Sequence, residues 1–597
     1  MPTAILTGQP VPGSSIEGDL RSLGFDVRLA AGGADTEALL AEVPAQDRVA
    51  VVDARFVGHL HALRLGLTDP RFPLAAIPGA LTAQAAGRPA LARALARENG
   101  AGGGTAVAVD SLADRVVTGL DADGEGVHRP ELGSLVAEVP ADPQARNEAR
   151  QAVASVDDEA VRLRSAVKAR DGFFTTYCIS PYSRYLARWC ARRGLTPNQV
   201  TTASLITALI AAGCAVTGTR GGFVAAGVLL IASFVLDCTD GQLARYSLQY
   251  STLGAWLDAT FDRIKEYAYY AGLALGAAKG GDDVWALALG AMILQTCRHV
   301  VDFSFNEANH DATANTSPTA ALSDRLDSVG WTVWVRRMIV LPIGERWAMI
   351  AVLTAATTPR ITFYALLAGC AFAATYTTAG RVLRSVTRRA RRTDRAAQAL
   401  ADLTDSGPLA QGPARVLRGR GGHLAPLSAA VGLVLVVAGS WLWGPGWWTV
   451  LMAGAYVLAS AEAVSRPLKG ALDWLVPPLF RAGEYLTVLI LAAKSEVNGA
   501  LPAAFGLVSA VAYHHYDTVY RIRGNAGAPP AWLVRAVGGQ EGRTLLVAVL
   551  AALLTATQFT VALTVLAVAV ALVVLVESIR FWVSAGAPAV HDEGEPA

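Results

Sequence analysis

Eight residues in the stretch LDCTDGQLARYSLQYSTLGAWLDATFDRIKEY have types and spacing that could do chemistry: Asp237, Asp240, Gly241, Ala244, Arg245, Gly254, Asp258 and Asp262. They read D-x-x-D-G-x-x-A-R-x8-G-x-x-x-D-x-x-x-D. Asp237 and Asp240 lie three apart at the end of one apolar segment. Asp258 and Asp262 lie four apart at the start of the next, so each pair shares a helix face. A short connection makes the two helices antiparallel neighbours, and four carboxylates can then converge. Carboxylates in a membrane need a counter-charge or a metal. Oxygen-only ligands favour Mg²⁺, Mn²⁺ or Ca²⁺ over zinc. Two divalent ions would balance the charge and could clamp a diphosphate. Gly241 and Gly254 remove side chains where a ligand or a second helix must come close, and Arg245 offers a bidentate donor to a phosphate. The aspartates could instead line a proton or ion pathway, but the glycine and Ala-Arg positions would then have no role.

The elements that must position these residues are membrane helices. Of the 597 residues, 53% are hydrophobic and only 17% charged, with a mean hydropathy of +0.36. That excludes a disordered chain, a disulfide scaffold and an ordinary soluble enzyme. The net charge of +2 gives no argument for nucleic acid. Positive charge is almost all arginine, with lysine only at 168, 265, 279, 469 and 494, which looks like a GC-rich bacterial genome. Segments of about 20 apolar residues can cross a bilayer. Six are expected in a first block, at 199–217, 222–246, 254–277, 284–303, 346–358 with its flanks, and 361–383. Six more are expected at 424–443, 446–463, 473–493, 498–516, 543–558 and 560–582. Arginines concentrate at 181–193, 336–346 and 381–393, on one side if the spans alternate. The positive-inside rule places that side in the cytoplasm. The start, MPTAILTGQPVPG, has no basic-then-apolar pattern and is not read as a signal peptide, so the soluble N-terminal part is expected in the cytoplasm of a bacterial, multi-pass membrane protein.

The expected fold is multidomain: an N-terminal α/β cytoplasmic domain followed by an all-α polytopic membrane region. Residues 1–150 alternate short apolar runs (Ala4–Thr7, Val27–Ala30, Val49–Val52, Ala106–Val109) with helical stretches (Thr36–Glu42, Ala90–Arg97), which suggests a partly parallel sheet. Residues 151–177 are a helical connector, and 144–170 read as one charged helix. Ile179–Arg193 has the amphipathic pattern of a helix lying on the membrane surface. Residues 178–385 form the first membrane block, 386–422 an Arg-rich cytoplasmic linker, 423–585 the second block and 586–597 a polar tail. The six cysteines form no C-x-x-C pair and read as buried reduced thiols.

The eight-position motif resembles the signature of the CDP-alcohol phosphotransferases, with no departure. These integral-membrane enzymes transfer a phosphate-linked alcohol from a CDP-alcohol to an acceptor hydroxyl and release CMP. The resemblance covers about 178–385 and includes Thr196-Pro197-Asn198-Gln199-Val200-Thr201 before the first span. It implies that Asp237, Asp240 and Asp258 ligate metal, and that Asp262 touches the metal site and is the general base. It implies that Thr196, Asn198, Gly241, Ala244, Arg245 and Gly254 hold the cytidine diphosphate. The implied cofactor is Mg²⁺ or Mn²⁺, two ions. The implied partners are a CDP-alcohol (CDP-diacylglycerol in a phosphatidyl reading), a polar acceptor alcohol, membrane lipids and a second copy in a homodimer. LDATFDRIKEY resembles the phosphatidylinositol-phosphate and di-inositol-phosphate synthases. Lys265, Arg298, Arg337, Arg346 and Arg381 could then form a basic pocket for a phosphorylated polyol, or only anchor the cytoplasmic rim. Glycerol phosphate, inositol phosphate and simpler alcohols stay open as acceptors, as does a non-catalytic scaffold or transporter with a vestigial site. The layout is similar to bifunctional enzymes that carry a cytidylyltransferase ahead of this domain. The first strand here runs into TGQPVPGSSIEGDL, without their glycine-rich opening, so a degenerate nucleotidyltransferase-like domain or an unrelated α/β domain is expected.

The second block reads as a decayed copy of the first. Arg263, Glu266 and Tyr267 answer to Arg481, Glu484 and Tyr485. His299 and Asp302 answer to His514 and Asp517, Arg346 to Arg543, and Arg381 to Arg580. Phe480 stands where Asp262 would be. Such a copy could pack on the first block or keep a cavity for a phosphate or lipid near Arg481, His514 and Arg543.

Overall fold

The computed structural model describes residues 1–9, 11–100, 111–168, 171–312, 334, 338–387, 390–418 and 425–584. The chain forms two compact units. The first comprises Met1–Ala169, Tyr182–Pro197 and Thr239–Tyr250, and the second Arg170–Pro181, Asn198–Cys238 and Ser251–Ala597.

In the first unit, β1 (Thr3–Thr7), β2 (Asp26–Ala30), β3 (Val49–Asp53), β5 (Leu74–Ile77) and β6 (Ala80–Ala83) form a sheet in the order β2-β1-β3-β6-β5. β1 pairs parallel with β2 and β3, and β6 pairs antiparallel with β3 and β5. β4 (Val57–Gly58) and β7 (Ala137–Glu138) make a separate ribbon. Helices α1 (Ile16–Ser22), α2 (Gly33–Glu42), α3 (Leu60–Thr68), α4 (Arg88–Gly100) and α5 (Leu112–Ala122) complete the layers. Successive residues of a strand face opposite sides. Ile5, Val49 and Val51 therefore enter one core, and Ala4, Leu6, Ala50 and Val52 the other. The expected partly parallel sheet is present, with the first three expected strands. The fourth expected run, Ala106–Val109, lies outside the described residues. The β5–β6 hairpin was not anticipated; its turn is Pro78-Gly79, with Gly79 at φ +76°.

The expected single helix over 144–170 is instead two, α6 (Pro143–Ser155) and α7 (Asp158–Ser165). Val156 is extended, and the Asp157 carboxylate accepts from the Ala160 amide at 3.1 Å, starting a new helix. Arg162 Nε donates to the Tyr246 carbonyl at 2.8 Å, and the Tyr246 hydroxyl donates to Glu159 at 2.8 Å. α8 (Ser180–Arg192) turns Ala187 and Cys190 inward and leaves Tyr182, Tyr185 and Trp189 exposed beside its arginines. That is the pattern of a helix seated in a lipid interface. Of the cysteines, Cys190 and Cys370 are buried as expected, whereas Cys178 is exposed.

All remaining elements are helical. The first block contains α9 (Pro197–Val216), α10 (Arg220–Ser247), α11 (Thr252–Lys279), α12 (Trp285–Asn309), α13 (Ile343–Ala356) and α14 (Pro359–Thr387). The expected linker folds into α15 (Asp394–Leu403) and α16 (Pro408–Leu417), whose Leu400, Leu403 and Ala410 are buried. The second block contains α17 (Ala425–Trp443), α18 (Trp447–Ala463), α19 (Val476–Lys494), α20 (Ala500–Arg523), a short α21 (Ala531–Val537), α22 (Gly539–Leu553) and α23 (Ala556–Ser584). Among the described residues, seven helical segments are long and apolar enough to cross a membrane. They correspond to α9, α10, α14, α17, α19 with the turn before it, α21–α22 and α23. Helices stand at all twelve expected positions, but the expected layout of six and six membrane spans is not confirmed, because seven of the described segments are long and apolar enough. α11, α12 and α20 carry the buried charged residues described below, and α13 and α18 are short, at 14 and 17 residues.

Candidate metal centre and basic pocket

Two local devices bring the aspartates together. Leu248, at φ +52°, ends α10 in the left-handed region, and Ser251 caps α11 by accepting from the Gly254 amide at 2.9 Å. The chain therefore reverses within a few residues. One carboxylate oxygen from each of Asp237, Asp240 and Asp258 lies within 4.8 Å of the others. Asp240 is buried and the other two are half-buried. A hard cation with oxygen ligands at about 2.0–2.6 Å draws its ligand atoms within such a span. These three residues fit a divalent ion on donor type and spacing.

The fourth aspartate has a different partner. Lys265 is fully buried; its ammonium pairs with Asp237, lies 2.9 Å from Asp262 Oδ1 and donates to Ser204 Oγ at 3.2 Å. The sequence suggested Lys265 as an acceptor ligand. The structure puts this lysine inside the cluster as the counter-charge of Asp237 and Asp262. The i,i+3 spacing of Asp262 and Lys265 was the available signal.

Of the residues assigned to cytidine diphosphate, Asn198 and Gly254 fall at the starts of α9 and α11, and Gly241, Ala244 and Arg245 near the end of α10. Gly254 faces Asn198: a Cβ there would lie 2.7 Å from Asn198 Oδ1. The Asn198 side chain therefore lies this close to α11 because residue 254 lacks a side chain. Thr196 immediately precedes α9. Gly241 sits beneath the Arg245 guanidinium, which a Cβ would meet at 3.4 Å, and Arg245 Nε donates to the Ala166 carbonyl at 2.7 Å. Ala244 is half-buried on the same helix.

Deeper along α11 lies a cluster of guanidinium groups. Arg263 and Arg346 both donate to Glu266 Oε2, at 3.1 and 3.4 Å, and the Tyr270 hydroxyl donates to Glu266 Oε1 at 2.7 Å. Arg298 is buried, donates to the Val340 carbonyl and is in electrostatic reach of Arg346, Asp302 and Arg381. Arg381 pairs with Asp302. Arg298, Arg346 and Arg381 thus do come together, whereas Lys265 belongs to the aspartates and Arg337 lies outside the described residues. The sequence missed Arg263, Glu266 and His299 as members of this cluster. Among the described residues, Arg263, Arg298, Arg346 and Arg381 meet Glu266 and Asp302 here, so guanidinium groups outnumber their paired carboxylates.

In the second block, Arg481, Glu484, His514 and Arg543 are paired with one another or with Asp405. Arg481 binds Glu484 at 2.9 Å, and Arg543 binds Glu484 at 2.5 Å and Asp405 at 2.7 Å. Asp405, between α15 and α16, also meets Arg481 at 3.5 Å and His514 at 3.4 Å. The cavity beside Glu484 and Arg543 measures about 10 Å³. A single water needs about that much. The carboxylate of Asp405 thus stands beside Arg481, His514 and Arg543, where a phosphate was the expected alternative.

Residues 194–376 match the family model for CDP-alcohol phosphatidyltransferase, and residues 394–597 match a family of unknown function, DUF5941. The chain is 37% identical over 131 residues to the phosphatidylinositol phosphate synthase of Streptomyces avermitilis, covering 21% of this chain and 51% of that protein. It is 29% identical over 113 residues to the archaetidylinositol phosphate synthase of Pyrococcus horikoshii, covering 19% and 58%. It is 33% identical over 124 residues to the bifunctional IPC transferase and DIPP synthase of Thermococcus kodakarensis, covering 21% and 27%. The chain thus spans about half the length of the first two relatives and about a quarter of the third.

Proposed function

We propose that this domain transfers a phosphatidyl group from CDP-diacylglycerol to the hydroxyl of a phosphorylated polyol such as inositol phosphate, releasing CMP at the cytoplasmic face of a bacterial membrane. The observation that carries the reading is the convergence of Asp237, Asp240 and Asp258 within the complete eight-position motif. These three aspartates would hold Mg²⁺ or Mn²⁺, two ions with Asp262 taking part, and a bound ion would neutralise charge on the diphosphate. Asn198, Gly254, Gly241 and Arg245 seat the cytidine diphosphate. The acceptor oxygen forms a bond to the phosphorus that carries the lipid alcohol, and the bond from that phosphorus to CMP breaks. Asp262 takes the acceptor proton, with Lys265 fixing the direction of its carboxylate. The guanidinium groups of Arg263, Arg298 and Arg346 suit a phosphate on the acceptor. The N-terminal unit is a cytoplasmic accessory domain.

The test is CMP release by the purified full-length protein in lipid nanodiscs with CDP-diacylglycerol, Mg²⁺ and, in parallel, inositol phosphate, glycerol phosphate or inositol. Release is expected with a phosphorylated acceptor, and Asp258→Asn or chelation should reduce it to background. A folded protein that releases no CMP with any of the three acceptors would refute the proposal.

A further inference from the structure

The landmarks shared by the two blocks are not only in the same order; they make the same contacts. On α11, Arg263 binds Glu266 three residues on, and Arg346 of α13 reaches the same carboxylate. On α19, Arg481 binds Glu484 three residues on, and Arg543 of α22 reaches that carboxylate. On the fourth helix of each block, an aspartate ties to the sixth: Asp302 to Arg381, and Asp517 to Ser578 and Trp582. Arg580, the sequence counterpart of Arg381, has no part in that tie. The shift of 218 that relates Arg263 to Arg481 also relates Trp256 to Trp474, a match the sequence comparison had not used. The metal positions are lost, with Val476 for Asp258 and Phe480 for Asp262.

The blocks also meet through corresponding helices, in both directions. The fourth helices face one another: Ser509 Oγ lies 3.3 Å from Met292 Sδ, and the Trp285 and Phe505 rings are 5.6 Å apart. The third helix of each block faces the fourth of the other. Arg263 lies over the Tyr516 ring at 5.1 Å, and the Phe305 ring of α12 meets Trp474, just before α19, at 5.3 Å. At the rim, Trp256 stacks at 6.2 Å on Trp582 of α23, and its counterpart Trp474 donates to Ser385 Oγ on α14 at 3.0 Å. An interface in which the same elements meet in both directions is the isologous kind that relates two copies of one protein by a two-fold axis.

We infer that residues 425–584 are an in-chain partner: a second copy of the membrane block, stripped of metal ligands, that docks on the first about a pseudo-two-fold axis and supplies Tyr516 to its basic pocket. The hydroxyl of Tyr516 shares a hydrogen bond with His299 Nδ1, whose Nε2 lies 2.6 Å from Gln295 Nε2. Arg263 NH1 lies 3.3 Å from the same His299 Nδ1. Tyr516 is thus a positioning residue: it fixes His299 and covers Arg263, which follows the general base in sequence. It also follows that the face used by the fourth helices is closed within one chain, so a homodimer through that face does not form. The role of Tyr516 rests on the proposed phosphotransfer; the in-chain docking does not.

Two measurements on the full chain test this. Met292→Cys with Ser509→Cys, in a background where the native cysteines are serine, is treated with a short bis-thiol reagent on a mixture of ¹⁵N-labelled and unlabelled protein. The 292–509 link should appear only within one isotope. Mixed-isotope links, or no link, would overturn the in-chain partner. Tyr516→Phe keeps the ring over Arg263 and removes only the hydroxyl. It should raise KM for the phosphorylated acceptor about tenfold while KM for the CDP-alcohol stays within twofold. An unchanged acceptor KM would overturn the positioning role. Absence of CMP release in the wild type would instead refute the phosphotransfer reading, and the isotope result would stand by itself.

Discussion

Lys265→Met is the sharpest probe of the metal centre. The substitution keeps a long, unbranched side chain and deletes the one ammonium that lies among Asp237, Asp262 and Ser204. Lys265 is fully buried, so solvent cannot replace it. A single pair at the 2.9 Å separation from Asp262 is worth about 6 kcal/mol at an effective dielectric of 20, before desolvation is subtracted. Removing one partner of a buried pair and leaving the other typically costs about 3–5 kcal/mol. In chelator, the variant should therefore denature at lower temperature or denaturant than the wild type by an amount of that order. Added Mg²⁺ supplies the missing positive charge, so its stabilising effect should be larger in the variant than in the wild type. An ion at a hundred times its Kd returns about 2.7 kcal/mol. The assay is denaturation of the detergent-solubilised protein with EDTA and across a Mg²⁺ series, with Lys265→Arg as the charge-preserving control. Equal midpoints for wild type and Lys265→Met in EDTA would refute the idea that Lys265 balances the carboxylates. An Mg²⁺ response no larger than that of the wild type would refute competition between ammonium and ion.

Gly254→Ala places a Cβ 2.7 Å from Asn198 Oδ1, so the Asn198 side chain must move from its place beside α11. The expected outcome is a KM for the CDP-alcohol raised about tenfold, read from initial rates of CMP release; unaltered kinetics would show that the close approach does not shape the nucleotide site. Asp405→Asn keeps the side-chain shape in a residue at φ +49° and removes the charge shared by Arg481 and Arg543. It should lower stability by about 3 kcal/mol in denaturation experiments while CMP release persists at low temperature, since no metal ligand is touched. Loss of activity without loss of stability would place Asp405 in the catalytic path instead.

Much of the first block was legible because its signals are local. Aspartates three and four apart declare a shared helix face wherever the helix packs, and Gly254 and Asn198 announce a close approach by type alone. Twelve apolar segments read from the sequence are all helical, since a stretch without water must satisfy its own backbone hydrogen bonds. The Arg-x-x-Glu pairs of α11 and α19 were also visible as spacing. The break at 156–157 was not, because Asp157 as a cap competes locally with a charged stretch that could continue as one helix.

Tertiary structure decided what spacing leaves free. Lys265 could have pointed toward the arginines or the aspartates; packing of α11 against α9 and α10 sends its ammonium to Ser204 and Asp237, 61 and 28 residues away in sequence. Asp405 lies in a stretch that reads as a polar linker, yet it closes a buried network with Arg543, 138 residues on. Nothing in the sequence says that Tyr516 would reach His299, 217 residues back. Helix type, span and motif are set by neighbours in the chain. Which buried charge neutralises which depends on distances between helices, and these are fixed only when apolar faces pack and every buried ion must find a counter-ion.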